Sequence, residues 1–406
     1  MIGVNEIGEA QLTGVEAAEA AEPVVHSRAA VLTALFITGF GTFLNVYSTQ
    51  PLLPEFRRIF GASELLVSLT VSATIMAVAF SAPFVGMLAD TIGRKRVIVA
   101  AMLGLAVPTA LAATATNLTQ LIFWRFLQGF FIPGIIAVAI AYISEESPGS
   151  VTSTMATYVT GTVVGGFAGR FLSGLGSTHW GWRPTFVGLG IMTIAAALST
   201  QWLLPRARKF VRQRNAGASF RSLRRHLHNL RLLATYAVGF DVLFCLVGAF
   251  TYVNFHLADE PFHLGPAALG SIFAVYLIGA VITPFSGFVL DRIGCRRGLI
   301  GAVGMAALGM LLTLVAWIPA IVAGLTLLST GVFICQAASS SHVGKAAGEA
   351  RSSAAGLYVA LYYLGGSVGS VVPGFFWHRT GWIGCVVLIV CMQAVAAFIA
   401  HRLWGD

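Results

Sequence analysis

Long apolar runs separated by short polar stretches make up almost the whole chain. A helix needs about 20 predominantly apolar residues to cross the hydrocarbon core of a bilayer. Twelve runs of that kind can be read: 29–51, 65–88, 97–115, 119–143, 151–175 and 183–204, then 232–254, 264–290, 297–317, 319–343, 350–373 and 381–402. The pattern predicts an all-α integral membrane protein of about twelve transmembrane helices. Four stretches follow: a tail at 1–28, a six-helix bundle at 29–205, a polar linker at 206–231 and a second six-helix bundle at 232–402.

Composition sharpens this reading. Hydrophobic residues make up 57% of the chain and charged ones 10%, against about a quarter charged in soluble domains. Mean hydropathy is +0.82. That much apolar surface needs lipid as its solvent, and the lipid bilayer is the first partner implied. The tail carries Glu6, Glu9, Glu16, Glu19 and Glu22 and no base before Arg28. It lacks the basic start and apolar core of a signal peptide and reads as a disordered acidic extension. Cysteines 245, 295, 335, 385 and 391 show no metal or redox spacing, so no metal site is expected and they read as small core hydrophobes.

The net charge of +9 is distributed by topology. Nine bases fall between Arg206 and Arg231. Arg94, Lys95 and Arg96 follow the second run, Arg292, Arg296 and Arg297 the eighth, and Lys345 and Arg351 the tenth. All face one side if both termini do. The other side's loops hold Arg57, Arg58, Arg183 and Arg379. An excess of Lys and Arg marks the cytoplasmic side. Both termini and the linker are therefore expected in the cytoplasm, and the charge calls for no nucleic-acid partner.

Three stretches recur at nearly one offset. APFVGMLADTIGRKR (82–96) matches TPFSGFVLDRIGCRR (283–297), 201 residues on. YVTGTVVGGFAGRF (158–171) matches YYLGGSVGSVVPGF (362–375), 204 residues on, and Gly181-Trp182 matches Gly381-Trp382 after 200. A repeat of six helices places a substrate site between the halves, near the bilayer midplane. Asp90 and Gly93 stand where a helix leaves the membrane. An Asp there can cap a neighbouring helix, and the bases can meet acids or last carbonyls. The turn either sets the balance between two conformations or fixes topology and packing alone.

The chain resembles the major facilitator superfamily over residues 29–402. The resemblance rests on Gly86, Asp90, Gly93, Arg94 and Lys95, which stand as that family's loop 2–3 signature. The second copy, Gly287, Asp291, Gly294, Arg296 and Arg297, has Cys295 where the first base would be. The resemblance implies two six-helix bundles, transport by alternating access, and no cofactor. The WHRTGW stretch resembles bacterial inner-membrane members near the acriflavin-sensitivity and drug-efflux branches.

An ionisable residue deep in a span is costly and is a functional candidate by default. Arg125, in Arg-x-x-Gln-Gly, resembles the family's span-4 motif, which implies a coupling role for Arg125 with Gln128 beside it. The alternative is an arginine snorkelling outward. Asp241 is the one acid well inside a span, roughly 15 Å deep counting from Arg231 at about 1.5 Å per residue. It is either a proton carrier sharing a pathway with Arg125 or a hydrogen-bonded structural acid. Arg170 lies near the outer end of span 5. There Gly161, Gly165, Gly166 and Gly169 allow close helix packing and resemble an antiporter motif with Gly166 in the place of its proline. Asn45, Tyr47, Gln50, Gln336, Tyr358 and Tyr362 are candidate cavity residues. Tyr358 and Tyr362, four apart, share a face that can stack a ligand or a neighbouring helix.

G-x-x-x-x-G-K-[ST] does not occur, nor does H-E-x-x-H, so neither an ATP-driven pump nor an enzyme is expected. The function expected is proton-coupled export of a small organic compound by a monomer. The alternative is a proton-coupled symporter importing a sugar or an organic acid.

Overall fold

A computed structural model describes residues 27–147, 150–205, 207, 229–346 and 351–404. The N-terminal half contains α1 Arg28–Val46, a 3-10 turn Gln50–Leu52, α2 Leu53–Phe60, α3 Glu64–Ile92, α4 Arg94–Ala112, α5 Leu118–Glu146, α6 Val151–Trp180 and α7 Trp182–Leu203. The C-terminal half contains α8 Leu230–Ala258, α9 Pro266–Ile272, α10 Val275–Ile293, α11 Cys295–Leu312, α12 Ile318–Ala346, α13 Arg351–Val371, α14 Pro373–Thr380 and α15 Trp382–Leu403. Ten helical segments among the described residues are long and apolar enough to cross a membrane. The fifth and eighth expected spans are helical as well. Glycine, serine and threonine dilute α6, and the eighth span is interrupted between α9 and α10.

Three expected spans prove to be broken helices. The first continues past residue 51 as α2, after α1 stops at Val46. The eighth divides at Phe273–Ala274 and the eleventh at Val372. Pro51, Pro54 and Pro373 explain two of the breaks, since proline removes a backbone donor and disfavours helix before it. The seventh span begins at Leu230, two residues inside the segment read as linker, because Asn229 accepts from Arg231 N at 3.0 Å and caps it. Of the expected tail and linker, 1–26, 206 and 208–228 lie outside the described residues.

The two halves repeat in detail. Gly161, Gly165 and Gly169 on α6 lie so close to α1 that a Cβ would overlap the carbonyl oxygens of Phe36, Phe40 and Leu44. On α13, Gly365 and Gly369 meet the carbonyls of Phe240 and Phe244 on α8 in the same way. Each of these residues lies 204 positions after its counterpart. The stacked pairs Phe36–Phe40 and Phe240–Phe244 share that offset, with ring centroids 6.4 and 6.1 Å apart. Removing the side chain is what lets two apolar helices touch backbone to backbone, where packing must replace the absent hydrophobic drive.

Among the described residues, the halves meet tightly at one end. There the tips of α2, α6, α8 and α14 converge. Arg57 pairs with Asp259 at 2.6 Å and with Glu64 at 2.8 Å. Ala267 N donates to Thr178 at 3.2 Å, and Trp377 packs on Tyr252 and Phe255. Nearer the middle, Ser72 and Ser367 hydrogen-bond across the halves at 2.8 Å. The other end carries the turns at Gly93 and Gly294, and the lining of a cavity between the halves reaches toward it at Val159 and Ser340.

Candidate functional site

The cavity has a volume of about 420 Å³ and lies between the halves, walled by α1, α6, α8, α10, α12 and α13. Its apolar wall comes from Phe43, Val163, Leu246 and Phe333, and its polar positions include Thr162, Gln336, Ser340 and Tyr362. Arg170 is the one charged residue among the described lining side chains, and only 3% of its surface is exposed.

Arg170 sits under the closed end, held by the breaks in two helices. Its Nε donates to Gln50 Oε1 at 2.7 Å and its Nη1 to the Gly166 carbonyl at 2.7 Å. Gln50 in turn donates to Thr251 Oγ1 on α8 at 3.3 Å, which ties the two halves together through the arginine. The guanidinium carbon lies 4.4 Å from the ring centre of Tyr47, 4.6 Å from Phe273 and 4.9 Å from Tyr276. Such faces attract a cation through the ring quadrupole. Tyr47 and Gln50 are available because α1 ends before them, and Phe273 because the eighth span is interrupted at that residue.

The predicted cavity residues divide. Tyr47, Gln336 and Tyr362 line the cavity, and Gln50 belongs to its roof through Arg170. Asn45 does not. It faces α7 inside the N-terminal half, donating to Thr193 Oγ1 at 2.8 Å and to the Gly41 carbonyl at 3.0 Å. Tyr358 is turned to α12, where its hydroxyl meets Ser339 at 2.7 Å, and its ring stacks on Tyr362 at 6.0 Å. It is a helix contact here. Gly166 corrects the packing expectation in the opposite sense. A Cβ there would stand 3.5 Å from Arg170 Nη1, and the residue borders the cavity instead of the α1 seam.

Arg125 and Asp241 do not share a chamber in this conformation. Arg125 is wholly buried inside the N-terminal half. It donates to the carbonyls of Asn45 at 2.9 Å, Val46 at 2.6 Å and Thr70 at 3.0 Å, and also to Gln128 Oε1. Gln128 passes on to the Pro108 carbonyl at 3.3 Å. The guanidinium therefore binds the last carbonyls of α1 where that helix breaks, and full burial rules out snorkelling. Asp241 lies on the other side of α8, against a smaller pocket of about 280 Å³ with Tyr236, Phe240, Leu361 and Met392. Cys245 Sγ donates to its Oδ1 at 3.3 Å.

Of the repeated turn, the side chains of Gly86, Asp90, Gly287 and Asp291 lie outside the described residues. Gly93 and Gly294 adopt φ of 102° and 85°, a region where a side chain is strained. Arg94 pairs with Glu145 on α5 at 2.8 Å, and Lys95 follows it on α4. In the second copy Arg296 lies 3.1 Å from His401 on α15, and Arg297 is exposed.

Residues 35–370 and 249–405 match the family model described as Major Facilitator Superfamily. The chain belongs to the major facilitator superfamily. It is 32% identical over 372 residues to the MFS-type transporter YybF of Bacillus subtilis (strain 168), covering 91% of this chain and 92% of that one. It is 32% identical over 378 residues to the inner membrane transport protein YnfM of Escherichia coli (strain K12), covering 92% and 90%. Its fold resembles the crystal structure of the nucleoside transporter NupG, with a TM-score of 0.76 at 14% identity over 93% of this chain and 99% of that one. This superfamily chain is thus a multi-pass secondary transporter.

Proposed function

We propose that this superfamily member exports a small organic compound in exchange for protons, presenting one cavity alternately to the two sides of a bacterial inner membrane. The observation that carries the reading is the cavity itself, sealed at one end by contacts that cross between the halves. With the basic loops and both termini in the cytoplasm, the open end faces inward, where an exporter loads. The α1–α6 seam, too tight for a Cβ at three glycines, suits an antiporter because it leaves no leak beside the cavity. Asp241 supplies the exchangeable proton. It acts through α8, whose opposite face carries Leu243 and Val247 into the cavity, and never touches the substrate.

The test is flux in proteoliposomes across a compound panel, with and without a pH gradient. Export is expected to follow the gradient in the wild type. Asp241→Asn should lose gradient-driven net transport while still exchanging labelled compound across the membrane. Accumulation in symport with protons would overturn the export direction. Normal coupling in Asp241→Asn would overturn the assignment of the proton.

A further inference from the structure

We propose that the transported compound is an organic anion, whose carboxylate, sulfonate or phosphate is received by Arg170. The proposal deepens the transport reading. It rests on that reading for the word substrate, though not for the binding itself.

Arg170 lacks what the other buried or half-buried arginines have. A buried charge needs a partner of opposite sign or a full set of hydrogen bonds. Arg57 has Asp259 and Glu64, and Arg94 has Glu145. Arg125 has carbonyls of two helices arranged around it. Arg170 has no acidic partner among the described residues, and both acceptors it uses, Gln50 Oε1 and the Gly166 carbonyl, are neutral. A guanidinium has five N–H donors, and these two acceptors leave Nη2 without a hydrogen-bond partner among the described residues. The group nevertheless borders a cavity whose other described lining residues are uncharged.

The orientation fits an incoming anion. Tyr47, Phe273 and Tyr276 surround the guanidinium carbon. Gln50 holds the Nε side from the roof. What is left is the Nη edge, and the planar fork there matches two oxygens of one anionic group. Below it, Phe43, Phe333, Tyr362 and Tyr363 offer aromatic surface for an apolar body, and about 420 Å³ suits a compound of modest size. A cationic compound would meet like charge in a site shielded from water, and a neutral one would leave the guanidinium uncompensated.

The experiment uses the full chain in nanodiscs and probes matched in body but differing in head group: benzoate, benzenesulfonate and phenyl phosphate against benzamide and benzylamine. Binding is read as the ligand-dependent rise in melting temperature and by titration. At least one anion is expected to bind the wild type ten times more tightly than benzamide, and benzylamine more weakly still. Arg170→Gln should weaken that anion at least tenfold and leave benzamide unchanged, while Arg170→Lys should retain part of the preference. If Arg170→Gln does not fold, the wild-type comparison of head groups still decides. Benzamide or benzylamine binding as tightly as the anions, no anion binding at all, or unaltered anion affinity in a folded Arg170→Gln would each overturn the proposal. An anion that binds through Arg170 but shows no flux in proteoliposomes would overturn the transport reading and leave the anion site standing.

Discussion

Two arginines buried in the same half are handled in opposite ways, and the difference lies in what surrounds the guanidinium. Arg125 has its donors filled by the carbonyls of Asn45, Val46 and Thr70 and by Gln128. It acts as an internal cap for a broken helix. Arg125→Leu takes the donor from the Val46 carbonyl, since Asn45 O keeps Ser48 and Thr70 O keeps Thr74, at about 1–3 kcal/mol for an unsatisfied group. A fall in melting temperature of the purified protein, with loss of folded yield, is the expected result. Retained stability would show that this carbonyl finds another donor. The sequence marks Arg125 as exceptional because a charge inside an apolar run is costly wherever it points. It does not show the direction. α5 is apolar around most of its circumference, so its pattern has no polar face from which an inward or outward side could be read. Asn45 and Tyr358 are misplaced for the same reason. Arg170 was visible as an intramembrane charge, but its aromatic surroundings come from Phe273 and Tyr276, a hundred residues away in the chain, and no spacing rule connects them.

Among helices, the α1–α6 and α8–α13 seams set what substitutions the fold accepts. At Gly165 a Cβ would overlap the Phe40 carbonyl, whereas at Gly166, one residue on, the nearest atom is Arg170 Nη1 at 3.5 Å. Gly165→Ala must therefore push α1 and α6 apart, costing about 1–3 kcal/mol as overpacking does. Gly166→Ala should leave stability nearly unchanged and alter transport, because its methyl enters the cavity. Melting temperature and transport KM, measured on both variants, separate the two effects, and equal destabilisation would refute the assignment of faces. Span number and the six-helix repeat were legible because bilayer thickness imposes run length and because the repeated glycines keep their register. The break at Phe273–Ala274 was hidden, since neither residue is a glycine or proline that would announce it. There α9 packs on α6 and the 3-10 turn.

For the molecule as a whole, closure of one end depends on a few contacts between the halves. Arg57 and Asp259, at the tips of α2 and α8, form the ion pair among them. Cysteines placed at both positions and joined by a short bifunctional thiol reagent with a reducible linker should arrest transport, and reduction should restore it. Continued flux in the cross-linked protein would show that this end does not open. A reporter fused at residue 215 should report the cytoplasm, as the one-sided bases require. The latch also has a property that the membrane makes directional. The side chains of Arg57 and Asp259 keep 28% and 41% of their surface in water, so dissolved ions reach the pair, and screening acts over about 8 Å at physiological ionic strength. Pairs this exposed contribute about 0.2–1 kcal/mol, enough to alter a reorientation rate by a factor of about 1.4 to 5. Turnover should then respond to the ionic strength of the compartment that bathes this end, so that the carrier senses the saltiness of that medium.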